Sequence, residues 1–555
     1  MNQVLTLSGN MMPDSPLIAD LLDYAADHHG NQKIVSRRLE GDIHTYTYKE
    51  ARLRSKKLAN ALIALGAKAG DRVGTLAWNG YRHFEAYYAI SGIGAVCHTV
   101  NPRLYEEQIE YIINHAEDTI LLVDACFSPL LVPIITRLNT VKHIIWMIDL
   151  GLEPEMTVKS DIAFHNYEAL LETSSQELDW PRFDPNSAAC LCYTSGTTGN
   201  PKGVLYSHTS TVLHAYASRN PDGLNIGKDT SVMPVVPMYH VCAWGMPYIA
   251  PMAGAKLVLP GSGMEGADLY ELIHREQIDT MLGVPTVWLR LLEYLDEKQL
   301  SIASVNTVGV GGAASPLALV EALDKKHNVY LMPIWGMTET SPLATFAART
   351  EDMDEMTDEE RYRIQTSAGR PMFGIKIEIF DDDGQPLPHD GETRGFLRVR
   401  GPWVLNAYYK EDKPEAFVTD NKGTTWFDTG DIAVIDPKSY LRIVDRAKEV
   451  VKSGGEWISS IDLENAALGH DAVAEACVIG VKHEQWDERP LLFVVTHAGT
   501  EVDKQSIYDF LADKVAKWWL PDDILFVKEL PHTATGKLQK RTLRDQYFDY
   551  LIKAS

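Results

Sequence analysis

Leu17, Leu21, Leu22 and Ala25 fall on one face of a helical period, and residues 48–65 form a second amphipathic stretch, so residues 15–70 are read as helical. Beyond them short apolar runs at 72–77, 95–100, 119–123, 142–147 and 188–192 alternate with helical stretches. A second round follows at 231–236, 255–259, 280–284, 307–310 and 330–333. Alternation on this scale predicts parallel sheets with helices packed on their faces. From 375 to 399 the pattern turns to strand and turn, with Asp381-Asp382-Asp383-Gly384 as a hairpin turn. A charged stretch at Asp445-Arg446-Ala447-Lys448 separates this body from a smaller α+β region. The expected fold class is therefore α/β plus α+β. A large N-terminal domain (1–445) holds two parallel-type sheets and a small β-subdomain, and a small C-terminal α+β domain (449–555) follows a connector at 446–448.

The 555 residues exceed what one hydrophobic core supports, which agrees with more than one domain. A net charge of −24, from 52 basic and 76 acidic residues, argues against a nucleic-acid groove or an anionic membrane surface. The best membrane candidate, 121–138, is broken by Asp124, Pro129, Pro133 and Arg137, so no membrane span is expected. The six cysteines lack zinc-ribbon or Cys-x-x-Cys spacing. Cys190 and Cys192 alternate within one strand-like run and read as small buried hydrophobes. The N-terminus lacks a basic n-region and sustained apolar core, and the chain ends Ile-Lys-Ala-Ser rather than Ser-Lys-Leu; a cytoplasmic, reducing setting is expected.

The densest chemistry is Tyr-Thr-Ser-Gly-Thr-Thr-Gly-Asn-Pro-Lys-Gly-Val at 193–204. Hydroxyls from Thr194, Ser195, Thr197 and Thr198, the glycines Gly196, Gly199 and Gly203, and the single cation Lys202 are the parts of a phosphate cradle. Glycine admits backbone N–H groups, hydroxyls donate, and lysine offsets charge. The spacing differs from that of a P-loop.

This segment resembles the signature of the adenylate-forming enzymes, a superfamily of acyl-CoA synthetases, peptide-synthetase adenylation domains and beetle luciferases. Six further segments match its motifs in order, out to residue 537. Pro237-Met238-Tyr239-His240 resembles the stretch that places His240 beside the acyl carboxylate, and Trp244 falls where fatty-acid-activating relatives gate the acyl tunnel. Gly311-Gly312-Ala313-Ala314, after an apolar strand, resembles the adenine shelf, with Val310 and Gly311 facing the acyl group; small residues at a strand's carboxyl end let a flat ring lie on the backbone. Trp335-Gly336-Met337-Thr338-Glu339 resembles Tyr-Gly-x-Thr-Glu. Trp335 keeps the stacking face but loses the phenol, and Glu339 supplies the hard oxygen that Mg²⁺ prefers, with Ser195 as a second ligand.

Thr429-Gly430-Asp431 matches the motif whose carboxylate grips a ribose diol, which needs two acceptor sites; Arg446 would add a contact to ribose or phosphate. By the same resemblance Lys448 is the hinge of a mobile small domain, and Gly454, Gly455 and Trp457 serve the CoA step. Pro531 to Lys537 matches the end motif. Lys537 is the expected catalytic lysine, bridging carboxylate and α-phosphate where two anions must meet. Asp445, Glu449 and Trp457 depart mildly from the usual pattern.

The resemblance implies an ATP-dependent acyl-CoA synthetase that uses ATP, Mg²⁺ and CoA: a carboxylate becomes acyl-AMP, then a thioester. An uncharged tail, first a medium- or long-chain fatty acid and alternatively 3-methylmercaptopropionate, fits the absence of an acidic residue in the segment directly after Pro237. The fatty-acid branch also implies a homodimer. Rival readings are a peptide-synthetase module, for which no carrier segment follows Lys537, an acyl-adenylate oxygenase, and a non-enzymatic acyl or nucleotide sensor.

Overall fold

The structure is a computed structural model. It describes residues 10–554 except 13, 156–160, 195–199, 455, 498, 501 and 533–537. Helix Tyr48–Ala64 shows how local sequence sets an element. Thr47 accepts the backbone N–H of Glu50, and the Glu50 carboxylate takes the Thr47 N–H in return, so two orphan donors of the first turn are satisfied together. Its buried face, including Ala51, Leu58 and Leu62, packs into the main core.

Residues 33–47, read above as helical, are instead the antiparallel strands Lys33–Arg37 and Ile43–Thr47. The first also pairs in parallel with Lys256–Leu259, Ile34 opposite Leu257. A short β-branched run is too brief for a helical period to settle, and the partner strand decided it.

Two largely parallel sheets carry the large domain. The first runs, in spatial order, Ala163–Asn166, His143–Met147, Asp118–Asp124, Arg72–Leu76, Val96–Thr99, Ala188–Tyr193 and Gly203–Ser207, and only its last pair is antiparallel. The second has Tyr330–Gly336, Thr307–Val310, Thr280–Gly283, Ser231–Pro234 and Lys256–Leu259 as its parallel centre. The runs at 231–236 and 280–284 stop at Pro234 and Gly283. Helix Tyr81–Gly92, buried throughout, belongs to the core shared by the two sheets.

An antiparallel sheet of Lys376–Phe380, Gly395–Arg400, Phe417–Thr419, Thr425–Ile435 and Leu441–Arg446 follows. The expected turn forms at Asp381–Gly384, with Gly384 at φ +75°. A C-terminal α+β unit is built on strands Val473–His483 and Asp487–Thr496, with Asp523–Phe526 joining in parallel and helices Ser460–Leu468 and Lys504–Ala512 sharing its core. Among the described residues no helix is long and apolar enough to cross a membrane.

Candidate active site

The phosphate-cradle sequence connects two paired antiparallel strands. Strand Ala188–Tyr193 turns back as Gly203–Ser207, pairing Tyr193 with Gly203. The neck is closed by Thr194 N–H to Lys202 O (2.9 Å) and Lys202 N–H to Thr194 Oγ1 (3.2 Å). Ser195, Gly196, Thr197, Thr198 and Gly199 lie outside the described residues. Gly203 is required by a close approach: a Cβ there would stand 3.0 Å from that of Tyr409, whose N–H donates to Gly203 O at 2.8 Å.

Lys202 meets Glu339 through a residue the motifs did not mark. The Lys202 ammonium sits 4.8 Å from the ring centre of Tyr408, and the Tyr408 hydroxyl donates to Glu339 Oε1 at 2.7 Å. Burial, reinforced by the Glu339 charge, pushes the Tyr408 phenol above its usual range, so it stays a donor. Glu339 lies in the turn Thr338–Thr340, held by Tyr206 OH on Thr338 O (2.7 Å) and Leu405 N–H on Glu339 O (2.9 Å). The only sequence signal for Tyr408 is an aromatic pair, Tyr408-Tyr409, after Gly401-Pro402-Trp403.

Adjacent strand ends supply the shelf. Thr307–Val310 and Tyr330–Gly336 run in parallel with Val310 opposite Pro333, so Gly311-Gly312-Ala313-Ala314 leaves the sheet at its carboxyl edge beside a strand that runs on through Trp335 and Gly336, the edge where open α/β sheets take ligands. Gly312 has φ +81°, and Gly312, Ala313 and Ala314 are exposed while Trp335 is half-buried. A Cβ on Gly311 would lie 2.7 Å from Ile334 O and 3.0 Å from the Trp244 ring, so this glycine lets the indole lie on the backbone.

Asp431 and Arg446, fifteen residues apart, are cross-strand partners in the antiparallel sheet. Arg446 Nε approaches Asp431 Oδ1 at 2.8 Å and its Nη1 donates to Thr429 O at 3.0 Å. The Asp431 charge raises the Arg446 pKa, with Glu339 contributing at longer range. Asp431 is buried, at 3% exposure, and the guanidinium fixes the carboxylate's orientation.

His240 and Thr194 line one cavity of about 10 Å³ with Thr99, Asn101, Leu104, Ile112, Tyr193 and Tyr239. After His240 the chain makes a turn in which Val241, Cys242, Ala243 and Trp244 all have φ between +43° and +55°. Left-handed residues other than glycine each cost on the order of 1–2 kcal/mol, so this turn persists because its surroundings over-determine it. All four side chains are buried.

In the C-terminal region Lys448 is exposed in a turn and its carbonyl accepts Arg544 Nη1 at 2.6 Å. Gly454 has φ +60°, its N–H donates to Trp486 O at 2.8 Å, and a Cβ would stand 2.8 Å from the Trp486 ring. Trp457 packs edge-on against Phe396 (6.2 Å) and its carbonyl accepts Arg394 Nη1 at 2.7 Å, which places it where the two domains touch. Gly455 and Lys537 lie outside the described residues. Lys540 is buried and tied to Glu464 (2.7 Å) and Ser460, anchoring the chain just after the end motif.

The donor set fits a hard divalent cation. Glu339 is buried, is an acceptor-only group when ionised, and commits Oε1 to Tyr408, which leaves Oε2 to a cation.

The family model described as AMP-binding enzyme matches residues 22–409, and the AMP-binding enzyme C-terminal domain matches 462–537. The chain is 45% identical to a 3-methylmercaptopropionyl-CoA ligase of Ruegeria lacuscaerulensis, over 98% of this chain and 99% of that protein. It is 44% identical to a medium-chain-fatty-acid–CoA ligase of Ectopseudomonas oleovorans, over 99% of each. Among solved structures, an anthranilate CoA ligase in complex with anthranoyl-AMP superposes with a TM-score of 0.85 at 23% identity, covering 98% of this chain and 99% of that one, a likeness of fold.

Proposed function

The chain belongs to the AMP-binding enzyme family, and from that premise we propose that it is an ATP-dependent carboxylate–CoA ligase whose first substrate is an apolar medium- or long-chain fatty acid. One observation carries the reading: the Lys202 ammonium lies over the Tyr408 ring, the Tyr408 hydroxyl holds Glu339, and the Asp431–Arg446 ion pair, drawn from two further strands, is within reach of the Glu339 charge.

In the first step a carboxylate oxygen attacks the α-phosphorus of ATP, and the bond to pyrophosphate breaks. Lys537 bridges the two approaching anions, an interaction made fully only as they meet. The 194–199 segment and Lys202 cradle phosphate, Gly312, Ala313, Ala314 and Trp335 hold adenine, Asp431 accepts the ribose hydroxyls with Arg446 fixing its orientation, and His240 lies beside the carboxylate. Glu339, with Ser195, would hold Mg²⁺, which when bound spreads phosphate charge.

In the second step the CoA sulfur attacks the acyl carbon and the carbon–oxygen bond to AMP breaks. The 449–555 domain turns about Lys448, within the 446–448 connector to the 1–445 domain, to bring Gly454 and Gly455 to the thiol's path beside Trp457. A cytoplasmic setting and a homodimer complete the reading.

The surroundings assigned to the tail are apolar: Val241, Cys242, Ala243 and Trp244 join the main hydrophobic core, with Gly311 against the Trp244 ring and Val310 buried beside Gly311. A second reading, 3-methylmercaptopropionate, is favoured by Trp244 lying against Gly311, a contact that stands in the way of a long chain unless the indole swings away. Pyrophosphate release with MgATP and CoA across carboxylates from acetate to palmitate, plus 3-methylmercaptopropionate, separates the two. A maximum at about six or more carbons supports the fatty acid, since each further methylene held in an apolar pocket adds discrimination. A maximum at the methylthio acid selects the second reading, and no CoA-dependent release with any acid refutes both.

A further inference from the structure

Three thiols to which the reaction assigns no chemistry share one dry corner of the large domain. Cys190 and Cys192 stand two positions apart on strand Ala188–Tyr193, on one face. Cys242 reaches them from the left-handed turn after His240. The Sγ separations are 3.2 Å for Cys190–Cys242, 3.8 Å for Cys192–Cys242 and 3.8 Å for Cys190–Cys192, and no member is more than 2% exposed. Cys97 is the in-register neighbour of Cys190 on the next strand, and Thr99 Oγ1 lies 3.4 Å from Cys192 Sγ.

Burial alone accounts for one cysteine; it gives no reason for three sulfurs in mutual contact. We propose that Cys190, Cys192 and Cys242 form a binding site for one thiophilic divalent cation of the zinc class, which ties the phosphate-hairpin strand to the turn carrying His240 and Trp244. The triangle has the right size. The point equidistant from sulfurs at these separations lies about 2.1 Å from each, and a displacement of about 1 Å out of their plane gives the Zn–S length of about 2.3 Å.

Soft sulfur ligands prefer a d¹⁰ ion to Mg²⁺, so the site does not compete for the cation that the reaction takes. Loading releases thiol protons to solvent, so the apparent affinity falls as pH falls.

The test is titration of the full, reduced chain with Cd²⁺, read by the ultraviolet thiolate-to-cadmium band. One equivalent is expected to saturate it. Cys190→Ala, Cys192→Ala and Cys242→Ala should weaken binding by at least about 10–100-fold, the range set by losing even an outer partner of a metal site. The exposed Cys126 and the distant Cys477, each changed to alanine, serve as controls that keep the band. Should an alanine variant fail to fold, anomalous diffraction from a cadmium-loaded crystal of the unaltered protein must place the ion between the three sulfurs. The proposal is overturned by no band at one equivalent, by a band that survives Cys242→Ala, or by cadmium at Cys126 alone. Cadmium-loaded protein is expected to turn over more slowly and to recover with a chelator; unaltered turnover at full occupancy would overturn the tether.

Discussion

Tyr408→Phe isolates one hydrogen bond at the centre of the candidate site. The phenol donates at 2.7 Å to a carboxylate buried to 7% exposure, while the ring that Lys202 faces at 4.8 Å is kept. A hydrogen bond to a charged group contributes about 1.5–3 kcal/mol, more than a neutral one, and its loss leaves a buried carboxylate short of a donor. If Glu339 must be held for the adenylation step, that energy appears in the barrier, and kcat/KM for carboxylate and ATP falls about 10–100-fold. The assay is carboxylate-dependent exchange of labelled pyrophosphate into ATP, with thioester formation from supplied acyl-adenylate measured alongside. The second reaction should stay within about threefold, since among the described residues Tyr408 has no contact with one assigned to it, and the Mg²⁺ requirement of the first should rise. Tyr408→Leu, which also removes the ring under Lys202, should cost a further ~0.5–2 kcal/mol. Exchange by Tyr408→Phe at the rate of the unaltered protein would refute the reasoning, because the hydroxyl would then hold the loop and nothing more.

Lys537→Ala should abolish pyrophosphate exchange while sparing thioester formation from supplied acyl-adenylate; equal loss of both would remove Lys537 from the adenylation role. Gly454→Ala puts a Cβ 2.8 Å from the Trp486 ring at φ +60°, and the left-handed penalty of about 1–2 kcal/mol predicts a roughly 5–30-fold slower thioester step with pyrophosphate exchange little changed. Burial pushes the Asp124 carboxyl up to about 7, although the Trp78 N–H donates to it. The native state therefore holds a proton that the unfolded chain has lost, so this group's contribution to stability is full below pH ~4 and declines as pH rises to ~7. Asp124→Asn should remove that decline, about 2–4 kcal/mol by denaturant midpoints at pH 5 and 8, and identical slopes in both proteins would refute it.

Much of the architecture was legible along the chain because its signals are local. A parallel strand buried on both faces must be a short apolar run whatever surrounds it, so residues 307–310 were read with the bounds the structure has, and 119–123 within one residue at each end. The phosphate-cradle segment was likewise legible, since glycines, hydroxyls and one lysine within twelve residues state their chemistry without a partner. Residues 33–47 failed the same reading because their strands mix polar and apolar positions and form no continuous apolar run, and the edge of Lys256–Leu259 chose their conformation.

What the sequence by itself determined is which residue types exist to do chemistry and where local period and turn chemistry place them in elements. Only the tertiary structure decided who meets whom. Asp431 and Arg446 become partners through antiparallel register, Tyr408 reaches Glu339 because a loop crosses back over Gly203, and Cys242 joins Cys190 and Cys192 through a turn that local preference opposes. The reason is physical: side-chain type and backbone period are local quantities, whereas a hydrogen bond or an ion pair depends on distance. Distance between segments tens to hundreds of residues apart is set by how the sheets stack and which strands pair, and no stretch of sequence contains that alone.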